Sequence, residues 1–184
     1  MLYTRKGDNG TTKTFGCDQR ISKSSLIAEA LGSLDEINSF LGICKVQSKE
    51  NNFKLENGNS FEETVHNIQQ NLFIIQAELA GSEMTITEDK VKEVEEIVDN
   101  IEKQLPPIKS FFISGGSQLG AFFDTARTIA RRAERRVVGV ADENSRPVGE
   151  FTKAYLNRLS SLLYALARLS NHLSGITEES PTYK

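Results

Sequence analysis

Hydrophobic residues recur along most of this chain at alternating four- and three-residue steps, the spacing that aligns one face of an α-helix. From about Lys23 to Val46 the series is Leu26, Ala30, Leu34, Ile37 and Leu41. Phe61, Val65, Ile68, Leu72, Ile75 and Leu79 form a second stripe that closes at Gly81, a residue suited to capping a helix C-terminus. The polar stretch between them, Ser48–Asn52 and Asn57–Ser60, reads as a loop or short disordered insertion. Thr87 ahead of Glu88 and Asp89 predicts a third helix start, with the hydroxyl capping orphan amides and the acids favouring the positive helix end. Val91, Val94, Val98 and Ile101 continue that helix until Pro106 and Pro107 stop it.

Phe111-Phe112-Ile113 is too short for a helix of its own and is closed by Ser114-Gly115-Gly116. A fourth helix is expected from about Ser117 to Val140, burying Ala126, Ile129, Ala130, Ala133 and Val137. The fifth begins after Pro147, runs through Phe151, Tyr155, Leu159, Leu162, Leu166 and Leu173, and ends near Gly175. No strand-like alternation of useful length appears, so the expected fold is an all-α bundle of four or five long helices with one crossover loop and no significant sheet. The acidic run Glu93, Glu95, Glu96 and Asp99 reads as a solvated helix face.

At 184 residues and 38% hydrophobic, the chain is expected to form a single domain, 1–184. A formal net charge of -3 argues against broad nucleic-acid binding, so any basic site must be local. Cys17 and Cys44 do not make a disulfide framework, and with the distant His66 and His172 they do not suggest a zinc site. With neither a signal-like segment nor an eighteen-residue apolar run, the expectation is a soluble cytoplasmic protein with no membrane partner.

Two segments carry chemistry. "TRKGDNGTTKTFG", Thr4 to Gly16, combines three glycines, three basic residues and four hydroxyls. Converging glycine-loop amides and cationic donors suit a polyphosphate, while a tight surface turn accounts for the same residues. It is not a Walker A loop, because Gly7 and Gly10 are two residues apart and Lys13 follows a threonine. The other segment, Arg127 to Arg136, holds five arginines in ten positions. At 100° per residue, Arg127, Arg131 and Arg135 stack on one face, with Asp124 and Glu134 beside them. Such a row is either a salt-bridged surface or a phosphate site, for which arginine's planar fork is well suited. Asp35 or Glu36 could orient one of these arginines, and Asn157 and Arg158 could add a donor and a cation.

"YTRKGDNGTT" at 3–12, "GSLDEINSFLG" at 32–42, "FFISGGSQLG" at 111–120, "ARTIARRAER" at 126–135 and "YLNRLSSLLYALAR" at 155–168 together resemble the PduO-type ATP:cob(I)alamin adenosyltransferases. The resemblance implies an up-down five-helix bundle that forms a homotrimer with active sites between subunits. It implies transfer of the 5′-deoxyadenosyl group of ATP to the cobalt of a reduced corrinoid, with release of tripolyphosphate. Residues 1–22 would be a nucleotide-binding segment, 23–175 the bundle and 176–184 a tail. Thr4, Arg5, Lys6, Gly7, Thr12, Lys13, Lys23, Arg131, Arg132, Glu134, Arg135 and Asn157 would surround ATP, with Mg²⁺ carried on its phosphates. Asp35 would pair with Arg127 across the interface, and Phe111 would help displace the lower cobalt ligand. Cob(I)alamin is a strong nucleophile that needs no general base, so positioning and charge stabilisation are the tasks left to the protein. Ser114 stands where the family commonly has proline, Asp124 where histidine or asparagine is frequent, and Ser161 where aspartate usually follows "NRLS". These departures bear on the corrinoid and the interface more than on ATP. Two other readings remain: an ATP-binding regulatory module without alkyl transfer, and a helical scaffold whose arginines dock an acidic partner.

Overall fold

The computed structural model describes residues 3–14 and 20–183. Phe15 and Gly16, which end the glycine-rich stretch, and Cys17 lie outside the described residues, as do Met1 and Leu2. Five helices dominate: α1 (Leu26–Asn51), α2 (Phe61–Ala80), α3 (Glu88–Gln104), α4 (Gln118–Asp142) and α5 (Glu150–Leu173). In keeping with the expectation of no significant sheet, the strands among the described residues form one short hairpin, β1 (Thr11–Lys13) antiparallel to β2 (Arg20–Ser22). Three residues a side are too few to show an alternation in the sequence.

α1 begins three residues later than the stripe suggested, because Ser25 caps it by accepting the Ala28 N–H at 3.3 Å. It also runs on to Asn51, through residues expected to be loop, and stops at Asn52 in a left-handed conformation (φ 53°). The segment after it is ordered: Leu55 is buried and Lys54 bridges Ser60. Ser60 and Glu63 form a reciprocal capping box on α2, and those hydrogen bonds hold the Glu63 carboxyl below its ordinary pKa. Gly81 closes α2 at φ 105°, where a glycine avoids the left-handed penalty. Thr87 does not behave as expected: it precedes α3 but its hydroxyl makes no capping bond, leaving Glu88 and Asp89 to complement the helix end.

The N-cap of α5 is Gly149, which has no side chain to offer. Glu78 of α2 serves instead, accepting the Gly149 N–H at 2.7 Å and the Thr152 hydroxyl at 2.5 Å. A Cβ on Gly149 would lie 3.1 Å from that carboxylate and 2.9 Å from the Thr85 hydroxyl, so the approach needs a glycine.

α1 packs on α2 and α4, and α5 packs on α4 and α3. The core between them is built from the stripes read above, with Leu34, Ile37, Leu72, Ile75, Phe123, Leu159 and Leu162 fully covered. Phe61 stacks edge-on against Phe53 and Phe123, with centroids 5.8 and 6.2 Å apart. The middle of α4 presents alanines inward, Ala126, Ala130 and Ala133, between the larger Leu119 and Phe123 at one end and Val137 and Val140 at the other. The buried Tyr155 hydroxyl accepts from Asn71, whose amide oxygen takes a bond from Lys90 of α3. Burial pushes the Cys44 thiol up to about 12, making it a packing residue with little thiolate character. No described helix is long and apolar enough to cross a membrane.

Candidate functional site

The N-terminal basic segment is folded by its own backbone. Arg5 takes a left-handed conformation (φ 59°), and the Asp8 and Gly10 amides turn back to the Arg5 and Gly7 carbonyls. Lys23 returns to the loop through its N–H, bonded to the Gly10 carbonyl at 2.9 Å. A Cβ on Gly7 would lie 3.2 Å from the Lys23 ammonium, so the two residues placed near ATP by resemblance sit face to face. Arg20, which was not singled out in the sequence, ties the hairpin together by donating to the Thr11 hydroxyl at 2.6 Å and to its carbonyl at 2.8 Å. Thr4, Arg5, Lys6, Lys13 and Lys23 are exposed on this loop and hairpin, with Thr12 and Gly7 half-buried. Among the described residues, the strands pair with each other without extensive packing on any helix.

The arginines of α4 divide into two rows. Arg132 and Arg136 face α1, where Arg132 forms an ion pair with Glu36 and Arg136 lies 3.9 Å from Glu29. The other row, Arg127, Arg131 and Arg135, looks away from α1. Arg127 is held by Asp124 at 2.7 Å and stacks over the Tyr164 ring. Arg131 and Arg135 are exposed, with no carboxylate in ion-pair range among the described residues. Glu134 accepts the Asn157 amide at 3.1 Å, joining two expected ATP residues across the α4–α5 seam. Arg158 is instead engaged with Glu95 of α3.

A cavity of about 360 Å³ opens beside Arg127 and Arg131 of this second row. Phe111 and Phe112 from the loop after α3 line it together with Arg127 and Arg131 of α4. Ser114, Asp124 and Ser161, the positions of departure, all line this same cavity. Burial raises the pKa of Tyr164 on its rim. Phe111 is 78% exposed, an unusual position for so large an apolar side chain. Asp35 is exposed on α1, and the Arg127 partner within one chain is Asp124. A larger open depression of about 510 Å³ around Lys45, Glu63 and His66 contains none of the expected site residues. Among the described residues no three His, Cys, Asp or Glu side chains converge as a metal site.

A family model described as cobalamin adenosyltransferase matches residues 2–170. The chain belongs to the cobalamin adenosyltransferase family. Corrinoid adenosyltransferase PduO of Citrobacter freundii is 38% identical over 178 residues, 93% of this chain and 50% of the relative. A Bacillus subtilis corrinoid adenosyltransferase is 37% identical, covering 95% of this chain and 89% of its own length. The chain thus spans about half the length of the PduO relatives it matches, 50% and 53%, while nearly matching the Bacillus member end to end. Among solved structures, a phenylalanine-to-histidine variant of a Lactobacillus reuteri PduO-type ATP:corrinoid adenosyltransferase, complexed with cobalamin and ATP, superposes with TM-score 0.86 at 28% identity. That likeness covers 99% of this chain and 97% of the other. The five-helix bundle is therefore the fold of this adenosyltransferase family.

Arg168 and Asn171 were missed by the sequence reading. Both are buried polar residues on α5 that hold the Phe111 loop, and a charged residue inside the apolar run "LYALARL" was the available signal.

Proposed function

We propose that this adenosyltransferase-family chain transfers the 5′-deoxyadenosyl group of ATP to the cobalt of a reduced corrinoid such as cob(I)alamin. The observation that carries the proposal is the cavity lined both by an exposed phenylalanine, Phe111, and by Arg127 and Arg131 of α4. The aromatic part of the lining is apolar enough to exclude water from a flat macrocycle, and the arginine part is cationic enough to receive a polyphosphate. In the transfer, the cobalt electron pair forms the bond to C5′ as the C5′–O5′ bond breaks, and tripolyphosphate leaves with the oxygen. The charge that grows on the leaving group is what Arg131 and Arg135 are there to stabilise.

In this reading Thr4, Arg5, Lys6, Gly7, Thr12, Lys13 and Lys23 cradle the triphosphate, with Arg132, Glu134 and Asn157 completing the nucleotide site. Mg²⁺ enters as MgATP. Phe111 covers the lower face of the corrinoid, and Asp35 of one subunit meets Arg127 of another. Among the described residues, β1 and β2 do not pack extensively on α4 within one chain, which fits a homotrimer whose sites are completed between subunits. A cytoplasmic setting supplies both ATP and the reducing conditions that cob(I)alamin requires.

The test is anaerobic incubation of the protein with MgATP and chemically reduced cob(I)alamin. Equal amounts of adenosylcobalamin and tripolyphosphate are expected. ATP binding without a new Co–C bond would replace this function with that of a nucleotide-sensing module.

A further inference from the structure

The loop that carries Phe111 has no regular structure, yet it is fastened at several points. Asn171 of α5 holds its trailing end: its amide oxygen accepts the Ser117 N–H at 2.9 Å, and its amide nitrogen donates to the Gly115 carbonyl at 3.2 Å. Arg168, one helical turn earlier and 5% exposed, holds the leading end by donating to the Pro106 carbonyl at 3.1 Å and lying 5.1 Å from the Phe112 ring centre. The remaining fastenings come from the segment beyond α5. Glu178 takes the Arg168 Nε–H at 2.8 Å, the Glu179 carbonyl accepts the Ile113 N–H at 2.8 Å, and Ser180 shares a 2.7 Å bond with Ser110. Ser110, Phe112 and Ile113 are thereby anchored on both sides of Phe111, whose own side chain is left projecting at the cavity.

We propose that Arg168 and the 178–180 segment are positioning elements for the acceptor half of the reaction, setting where Phe111 stands over the cavity. This rests on the reading that the corrinoid occupies that cavity. The Arg168 fork is central because one planar guanidinium joins the segment, the loop backbone and the Phe112 ring, a combination that a lysine's point charge does not provide. In that reading the nucleotide residues lie on the N-terminal loop and hairpin, on α4 and at Asn157, about three turns of α5 before Arg168, and none of them is among the strap's hydrogen-bond partners, so its loosening should affect the corrinoid more than ATP.

The test uses the whole chain carrying Glu178→Ala, with Ser180→Ala as a milder second variant that leaves no buried charge unpaired. Amide hydrogen exchange at Ile113 is read alongside steady-state KM values for cob(I)alamin and for ATP. The expected result for Glu178→Ala is faster exchange at Ile113, a corrinoid KM raised by about tenfold, and an ATP KM within about twofold of the parent. Ser180→Ala should move the same two quantities in the same direction by a smaller factor. Arg168→Lys should likewise raise the corrinoid KM, since a single ammonium does not span the same three partners. Faster exchange with an unchanged corrinoid KM would overturn the inference and leave a purely structural strap. Equal rises in both KM values would also overturn it. If the unaltered chain forms no adenosylcobalamin, the functional reading falls and this inference falls with it; if only the variants behave like the parent, the inference fails alone.

Discussion

The two arginine rows of α4 share a helix, a residue type and nearly the same stretch of sequence, yet they face different surroundings. Arg132 and Arg136 look toward Glu36 and Glu29 on α1, so their charge is partly balanced by half-exposed ion pairs. Arg131 lines the Phe111 cavity and Arg135 is exposed one turn further along α4, neither with such a carboxylate among the described residues, and at four-residue spacing they repel each other by a few tenths of a kcal/mol. A balanced row stabilises a surface weakly, whereas an unbalanced row has cationic charge available for an anion. The density of arginine in a sequence does not distinguish these cases; the neighbouring helix does.

The largest effect expected from this contrast is at Arg131. Arg131→Ala should lower turnover by at least about 100-fold, with melting temperature nearly unchanged, because in the proposed transfer it removes a charge-assisted contact to the leaving phosphates. Near-normal turnover would break the contrast at once. A smaller effect should come from salt: raising ionic strength from about 0.1 M to about 1 M shortens the screening length roughly threefold and should raise the ATP KM several-fold, with little change in melting temperature. Glu36→Gln probes the balanced row and should cost less than about 1 kcal/mol in denaturant unfolding, as exposed ion pairs generally do. The smallest effect belongs to Arg136→Ala, expected within about 0.5 kcal/mol in stability and within about twofold in turnover. A loss there comparable to that at Arg131 would mean the rows had been divided wrongly.

The helices were legible because each buries one stripe whose spacing survives in the sequence, as Leu34, Ile37 and Leu41 on α1 illustrate. Their ends were legible where the cap is local, at Ser60 with Glu63 and at Gly81. They were misread where polar residues continue a helix, beyond Val46, and where Thr87 was credited with a bond it does not make. The site followed the same division. Helical geometry alone aligned Arg127, Arg131 and Arg135, and it placed Asp124 beside Arg127. Arg20, Arg168 and Asn171 act through partners 9 to 62 positions away, so their roles are not local, and only Arg168, a charge inside an apolar run, left a trace in the sequence. The convergence of Ser114, Asp124 and Ser161 on one cavity likewise depends on how the loop closes over α4 and α5.

The carboxylate of Glu78, supplied by α2 to the start of α5, has a consequence for the order of assembly. A helix normally carries its own starting signal, so a peptide cut from the protein retains some tendency to begin in the right place. α5 obtains that signal from a residue 71 positions earlier. A fragment beginning after α4 would therefore lack the cap that defines its first turn, and adding the complementary N-terminal fragment should restore it. The helix that carries Asn157, Arg168 and Asn171 thus takes its starting register from α2, so the α4–α5 seam is set by a carboxylate that belongs to neither helix.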